Sequence, residues 1–298
     1  MTDMTSIAGV IPYLVTPLTD NGIVKADVLK ALCTDLIECG VHGLTPLGST
    51  GEYAYLDNPQ KQRVVEVVVE TAEDRVPVIP GVAGVSTQQA VERAKAYETL
   101  GVKGIVAVLD AYFPLTDVEV ERYFLAIADA VNVPVVLYTN PNFQRANLSI
   151  NVIEKLSRHQ NIVGLKDASS NTGRLLSIRN RCGDNLQIYA ASSHIGVNVM
   201  LLGGKGWFSG PACAIPRQSV QLYNLCIQRQ WDDAIELQRS LWSFNELFAR
   251  FNLAACMKTA LHLQGYDVGH PIAPQSPIDE QGRLLIASCL RQLQEQVY

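Results

Sequence analysis

A lysine that closes an apolar run, Lys166 after Ile162-Val163-Gly164-Leu165, offers the most chemistry in this chain. Its stem starts inside a packed interior, where an ammonium is costly to desolvate, so its pKa is expected to fall below the ordinary value of about 10.4. A neutral amine is a nucleophile for carbonyl carbon. The same position also suits a structural ion pair with Asp167 or Asp110. Tyr138 ends the preceding apolar run, 135–138, so its phenol lies beside the amine. There it can relay protons, or simply pack with its hydroxyl on backbone. The third feature is Gly48-Ser49-Thr50-Gly51-Glu52, directly after the run 43–47. Glycines at 48 and 51 let the chain turn and expose amide N–H groups, and Ser49 and Thr50 add two hydroxyl donors. Together they suit a small planar anion such as a carboxylate. A cluster of this composition is also what an ordinary turn uses.

The elements that must position these residues follow a repeating pattern. Eight short apolar runs, at 10–15, 43–47, 78–82, 104–109, 135–138, 162–166, 186–190 and 206–209, each end in a polar or glycine-rich tip and precede an amphipathic stretch. Helix stops of the form ECGVHG, TLGVKG and LLGGKG, and the prolines of DRVP and VNVP, introduce most of them. Runs that are apolar on both faces and alternate with helices imply parallel strands covered on both sides. Eight such units predict an α/β fold of the (β/α)8 barrel type, with its active residues at the C-terminal strand ends. That rule selects Thr16, Ser49, Thr50, Tyr112, Tyr138, Lys166, Ser192, His194 and Ser209. The barrel is expected over residues 1–216. Residues 217–298 read as three or so helices packed on its side, broken near Gly265 and by the proline-rich segment 271–277. A doubly wound sheet is disfavoured, because no strand run leads into Gly-x-Gly-x-x-Gly with an acidic residue downstream.

Bulk composition narrows the function. Hydrophobic residues at 48% and charged residues at 18% are enough to fill a core and too uncharged for disorder. A net charge of −5 with no basic run argues against nucleic acid as a partner. No segment reads as a signal peptide or a bilayer span, so a cytoplasmic protein without membrane contact is expected. Seven scattered cysteines without a Cys-x-x-Cys spacing read as buried small hydrophobes, and the dispersed histidines give no metal site.

Taken together, Gly48-Ser49-Thr50-Gly51-Glu52, Tyr138, Gly164-Leu165-Lys166-Asp167-Ala168 and Gly203-Gly204-Lys205-Gly206 resemble the dihydrodipicolinate synthase and N-acetylneuraminate lyase family in order and spacing. The likeness spans nearly the whole chain. It implies a class I aldolase barrel, a homotetramer built as a dimer of dimers, that needs neither metal nor organic cofactor. By its pattern Lys166 forms a Schiff base with pyruvate or a related 2-oxo acid, Gly48, Ser49 and Thr50 hold the carboxylate, and Tyr138 passes protons. The backbone near Phe208 lines the site. Tyr112 matches the tyrosine that crosses the dimer interface to complete a hydrogen-bond chain with Ser49 and Tyr138. The iminium is an electron sink, so C–C cleavage or proton loss at the adjacent carbon yields a neutral enamine.

Departures from the family pattern concern the second substrate. Synthases of dihydrodipicolinate carry an arginine five residues after the strand-end tyrosine; this chain has Phe143 there and Arg145 two positions on, a displacement that a bidentate grip tolerates poorly. Tyr138-Thr139-Asn140-Pro141 replaces Tyr-Asn-x-Pro, and Asp110-Ala111 replaces the usual Thr-Pro. Ser193 and His194 stand where neuraminate lyases place an acidic pair. The expected activity is therefore aldol formation or cleavage between pyruvate and an aldehyde that is less anionic, with Phe143 and Trp207 near the distal pocket and Ser193 at its rim. The alternatives are a 4-hydroxy-tetrahydrodipicolinate synthase proper, a sugar-acid aldolase or dehydratase, a phosphate-binding barrel, and a silent 2-oxo-acid-binding barrel, for which a damaged lysine, tyrosine or hydroxyl pair would be expected.

Overall fold

A computed structural model describes residues 7–141, 148–169, 171–191 and 195–295. Seven strands form one parallel sheet: β1 (Gly9–Pro12), β2 (Gly81–Gly84), β3 (Ile105–Leu109), β4 (Val135–Thr139), β5 (Ile162–Asp167), β6 (Gln187–Ala190) and β7 (Gly206–Ser209). Their spatial order is β1-β7-β6-β5-β4-β3-β2, so the chain's first two regular strands are the two edges. The expected strand at 43–47 lies between those edges without being regular. On one side His42 N and Thr45 N donate to the carbonyls of Val10 and Pro12, and Leu14 N donates to Thr45 O. On the other, Leu44 N donates to Pro77 O, while Ile79 N and Gly81 N donate to Leu44 O and Pro46 O. The segment completes the ring as the eighth stave of a (β/α)8 barrel. Regular pairing stops early there because Pro46 has no N–H to donate and Leu47 is left-handed, with φ 64.

Helices α1 (Ala26–Glu38), α2 (Asn58–Ala72), α3 (Thr87–Thr99), α4 (Asp117–Ala130), α5 (Ile150–Leu156), α6 (Thr172–Cys182), α7 (Gly196–Leu201) and α8 (Pro216–Ile227) alternate with the strands. Local chemistry starts several of them. Asp57 and Gln60 form a reciprocal capping box on α2, and Thr116 and Glu119 do the same on α4. Residues beyond α8 form α9 (Trp231–Ser240), α10 (Trp242–Arg250), α11 (Leu253–Leu263) and α12 (Glu280–Glu295). The region from Pro216 onward therefore holds five helices among the described residues, against the three or so expected. Three breaks carry no glycine or proline: left-handed Arg229 (φ 60) precedes α9, a helical residue, Leu241, separates α9 from α10, and extended Phe251 ends α10, while both expected breaks fall in the one connection between α11 and α12. α8 packs on α7 and β1, α9 packs on α7, and α10 packs on the short turn Pro211–Cys213 after β7.

Strand alternation divides the apolar residues between two cores. Val10, Leu137, Leu165 and Trp207 belong to the large cluster between sheet and helices. Their neighbours Ile11, Tyr138 and Phe208 belong to a smaller cluster inside the barrel, with Tyr13, Val106, Val136 and Tyr189. Trp207 is thus fully buried in the helix layer, edge-on to Tyr223, and not near the distal pocket as expected from the sequence. All seven cysteines are free, and all but the half-buried Cys39 are buried. Among the described residues no helix is long and apolar enough to cross a membrane.

Candidate active site

Strand parity decides what Lys166 faces. Leu165 points to the helix layer, so Lys166 points into the barrel, while Asp167 points out again. Asp167 Oδ2 is engaged 3.0 Å from Arg174 Nε of α6, which removes it as the partner of the lysine. Among the described residues Lys166 enters no ion pair. Its Nζ donates to Tyr13 OH at 3.2 Å and lies 3.4 Å from the centroid of the Tyr138 ring and 4.2 Å from that of Tyr13. The side chain is 3% exposed, and burial alone lowers its pKa well below that of an ordinary lysine. The ion-pair alternative left open by the sequence is not the arrangement present.

β4 and β5 pair in a register that sets Tyr138 opposite Lys166. Burial pushes the Tyr138 phenol up to about 12, and a hydrogen bond from Asn140 Nδ2, 2.9 Å from its oxygen, works against that rise. Tyr13 is also raised well above 10 by burial and by the neighbouring Tyr138. Near neutral pH the amine thus sits between two protonated phenols, one on β4 and one just past β1.

The Gly48 to Glu52 loop uses its glycines for space. Its left-handed residues are Leu47 (φ 64) and Glu52 (φ 58), neither of them glycine. A Cβ at Gly48 would fall 2.1 Å from Cδ1 of Tyr13 and 2.3 Å from its Cε1, and one at Gly51 would fall 2.8 Å from Leu14 O. Close approach of the loop to Tyr13 is therefore possible only with a bare backbone at 48. Thr16, selected as a strand tip, donates from Oγ1 to Gly51 O at 2.7 Å and holds the loop against the end of the first strand. Ser209, another strand tip, accepts from Ala212 N at 3.3 Å and caps the turn after β7.

A cavity of about 470 Å³ opens above these groups. Its walls include Tyr13, Gly48, Ser49, Tyr138 and Asn140. Lys166 is not itself a wall residue; the two phenols in contact with it are, and they flank its approach. Thr50, expected beside Ser49, is buried at 3% exposure and absent from the walls, with its Oγ1 directed at Gly210 beyond β7. Among the described wall residues the charged side chains are Glu52 and Asp110, both carboxylates.

The model of the Dihydrodipicolinate synthetase family matches residues 6–293. The chain belongs to that family. A relative from Phenylobacterium zucineum, named 4-hydroxy-tetrahydrodipicolinate synthase, is 33% identical over 283 residues, covering 95% of this chain and 96% of its own. A solved Pseudomonas aeruginosa protein, provisionally assigned as a dihydrodipicolinate synthetase, superposes with a TM-score of 0.94 at 30% identity, covering 97% of this chain and 100% of its own. A prophage protein of the dihydrodipicolinic acid synthase family from E. coli K12, solved in complex with pyruvate, gives a TM-score of 0.91 at 27% identity over 97% of this chain and 99% of its own.

Against the family pattern, the chain brings together Lys166, Tyr138, Ser49 and Gly48, and it places the Phe208 ring in the barrel interior, 5.3 Å from that of Tyr189. Tyr112 is not brought to this cavity within one chain. It is 68% exposed and stacks edge-on with the equally exposed Phe113 at 4.9 Å. Phe143 and Ser193, with Arg145, Ser192 and His194, lie outside the described residues. Sequence reasoning overlooked three contributors. Tyr13 shares the inward parity of Ile11 in the first run, a signal that was available. Asn140 lies two residues past Tyr138, on the same side of an extended chain. The third contributor is the wall formed by Phe251, Asn252, Leu253 and Gln275, which no local pattern announces.

Proposed function

We propose that this dihydrodipicolinate synthetase family member is a class I lyase that forms or breaks a C–C bond between pyruvate and an aldehyde through a Schiff base on Lys166. The observation that carries this reading is the buried, desolvated amine of Lys166, without an anionic partner among the described residues and in contact with Tyr138. In the reaction, the neutral amine adds to the ketone carbon and water leaves, giving an iminium. Loss of a proton from the methyl carbon gives an enamine, which attacks the aldehyde carbon, and water then releases the product and regenerates the amine. Tyr138 shuttles the protons to and from the adduct. Ser49 and the amides of residues 48–50 hold the carboxylate, those of Gly51 and Glu52 being used within the turn, with buried Thr50 supporting the loop from behind. Borohydride reduction with pyruvate, followed by peptide mass spectrometry, tests this: one reduced pyruvyl adduct on Lys166 is expected, and an unlabelled Lys166 in folded protein overturns it.

The second substrate is read as an aldehyde with little negative charge. Phe143 replaces the family's arginine, and the Asp110 carboxylate on the cavity wall would repel an anion, the other wall carboxylate, Glu52, being paired with Lys258. The names of the relatives favour a second reading, condensation with aspartate semialdehyde as in 4-hydroxy-tetrahydrodipicolinate synthases. Steady-state assays separate the two, since efficient turnover of aspartate semialdehyde at micromolar concentration selects the second. The exposed Tyr112 and Phe113 support an oligomer in which Tyr112 completes a neighbour's site, read with the family resemblance as a cytoplasmic homotetramer; light scattering tests the subunit number and a Tyr112→Phe variant the shared site.

A further inference from the structure

The loop that carries Ser49 and Thr50 is tied to the C-terminal helices by one carboxylate. Glu52 closes the loop in a left-handed backbone (φ 58), and its side chain is fully buried. Oε2 lies 2.6 Å from Lys258 Nζ of α11, whose side chain is 1% exposed. Oε1 accepts from Ile272 N at 2.6 Å and from Gln275 Nε2 at 2.9 Å. Lys258 Nζ in turn donates to His270 O at 2.8 Å. The start of α11, through Asn252, Leu253 and Ala254, and Gln275 of the same anchored segment wall the cavity that Gly48 and Ser49 line.

A buried pair of this kind adds little net stability over an apolar pair of the same shape, because desolvation of two charges offsets their attraction. What it adds is direction. Oε1 is held by two hydrogen bonds from the 272–275 segment and Oε2 by a close ion pair with α11, and a non-glycine residue keeps a left-handed backbone only where its surroundings over-determine it. Resting on the proposed Schiff-base reaction, we infer that Glu52 is a positioning residue: through Lys258 and the 270–275 segment it locks the carboxylate-binding loop and the distal wall of the cavity into one unit.

The test is a Glu52→Gln/Lys258→Met double variant, which removes both charges and leaves neither stranded. The pyruvate concentration for half-maximal borohydride trapping is expected to rise about tenfold, since loss of position at a binding group weakens binding. The trapping rate at saturating pyruvate is expected to stay within about threefold of the native rate, because β5 and the Lys166 amine are not part of the clamp. Hydrogen exchange at residues 47–54 should quicken while that of β5 is unchanged. A folded double variant with native half-saturation and native exchange at 47–54 overturns the inference. If the native protein is not trapped by pyruvate at all, the proposed reaction falls, and the exchange comparison alone decides the clamp in the same two ways.

Discussion

Replacing Gly48 by alanine separates two reasons for a glycine at the carboxylate loop. The backbone does not need a glycine at 48, since the left-handed residues of the loop are Leu47 and Glu52, so alanine would be tolerated there if backbone conformation were the only constraint. If Gly48 serves space, the new methyl meets the Tyr13 ring at 2.1 and 2.3 Å. Ordinary carbon contacts lie at 3.5–4.0 Å, so the ring or the loop must yield by about 1.5 Å. Tyr13 has little room: it is 5% exposed, and its hydroxyl accepts from Lys166 Nζ at 3.2 Å. The overpacking is expected to cost about 1–3 kcal/mol. Because the displaced ring is the amine's own neighbour, adduct formation is expected to slow about 100-fold, the usual penalty for an ångström of misplacement. Urea unfolding measures the first quantity and the rate of borohydride trapping with pyruvate the second. Gly183→Ala is the control. That glycine has φ 57 and open space where a Cβ would stand, so alanine should cost about 1–3 kcal/mol through the backbone and leave trapping unchanged. Trapping by Gly48→Ala within threefold of the native rate would refute the steric reasoning.

Lys166→Met should abolish the pyruvate adduct while the protein stays folded, read by intact mass. The same variant reports on proton linkage. Because burial lowers the pKa of Lys166, the unfolded chain binds a proton that the folded one gives up between that lowered value and about 10.4. Native stability should therefore rise with pH through that window and carry its full penalty below it, a slope that Lys166→Met removes in pH-dependent urea melts. Tyr138→Phe deletes the proton relay and the acceptor for Asn140 Nδ2; turnover should fall by about 10²–10⁴-fold, with Lys166 still trapped by pyruvate. Glu52→Gln alone leaves Lys258 buried beside a neutral partner and should cost about 3–5 kcal/mol, with much of the loss recovered in the double variant, as followed by chemical denaturation.

Much of the site was readable because strand chemistry is local. The run ending in Lys166 alternates so that inward-facing Lys166 follows outward-facing Leu165, and β4 ends where its apolar run ends, at Tyr138 and Thr139. Helix starts at Asp57 and Thr116 were equally local, since a cap and its partner lie three residues apart. The misreadings have separate causes. The strand at 43–47 reads as apolar and extended, yet Pro46 and left-handed Leu47 interrupt its ladder. Trp207 looked like a pocket residue because it flanks Phe208, but successive residues of a strand face opposite sides. Thr50 looked equivalent to Ser49, and the turn aims it at Gly210 instead.

From its own residues the chain determines a parallel βα alternation, a desolvated lysine facing inward and a phenol beside it, because each depends on a period of two or on neighbours a few positions away. Only the tertiary structure decides which groups surround that amine. Tyr13 reaches Lys166 from a strand 153 residues away, and Glu52 meets Ile272 across 220 residues. Such contacts are set by barrel closure and by how the last helices fold back over the strand ends, and no periodicity along the chain records them.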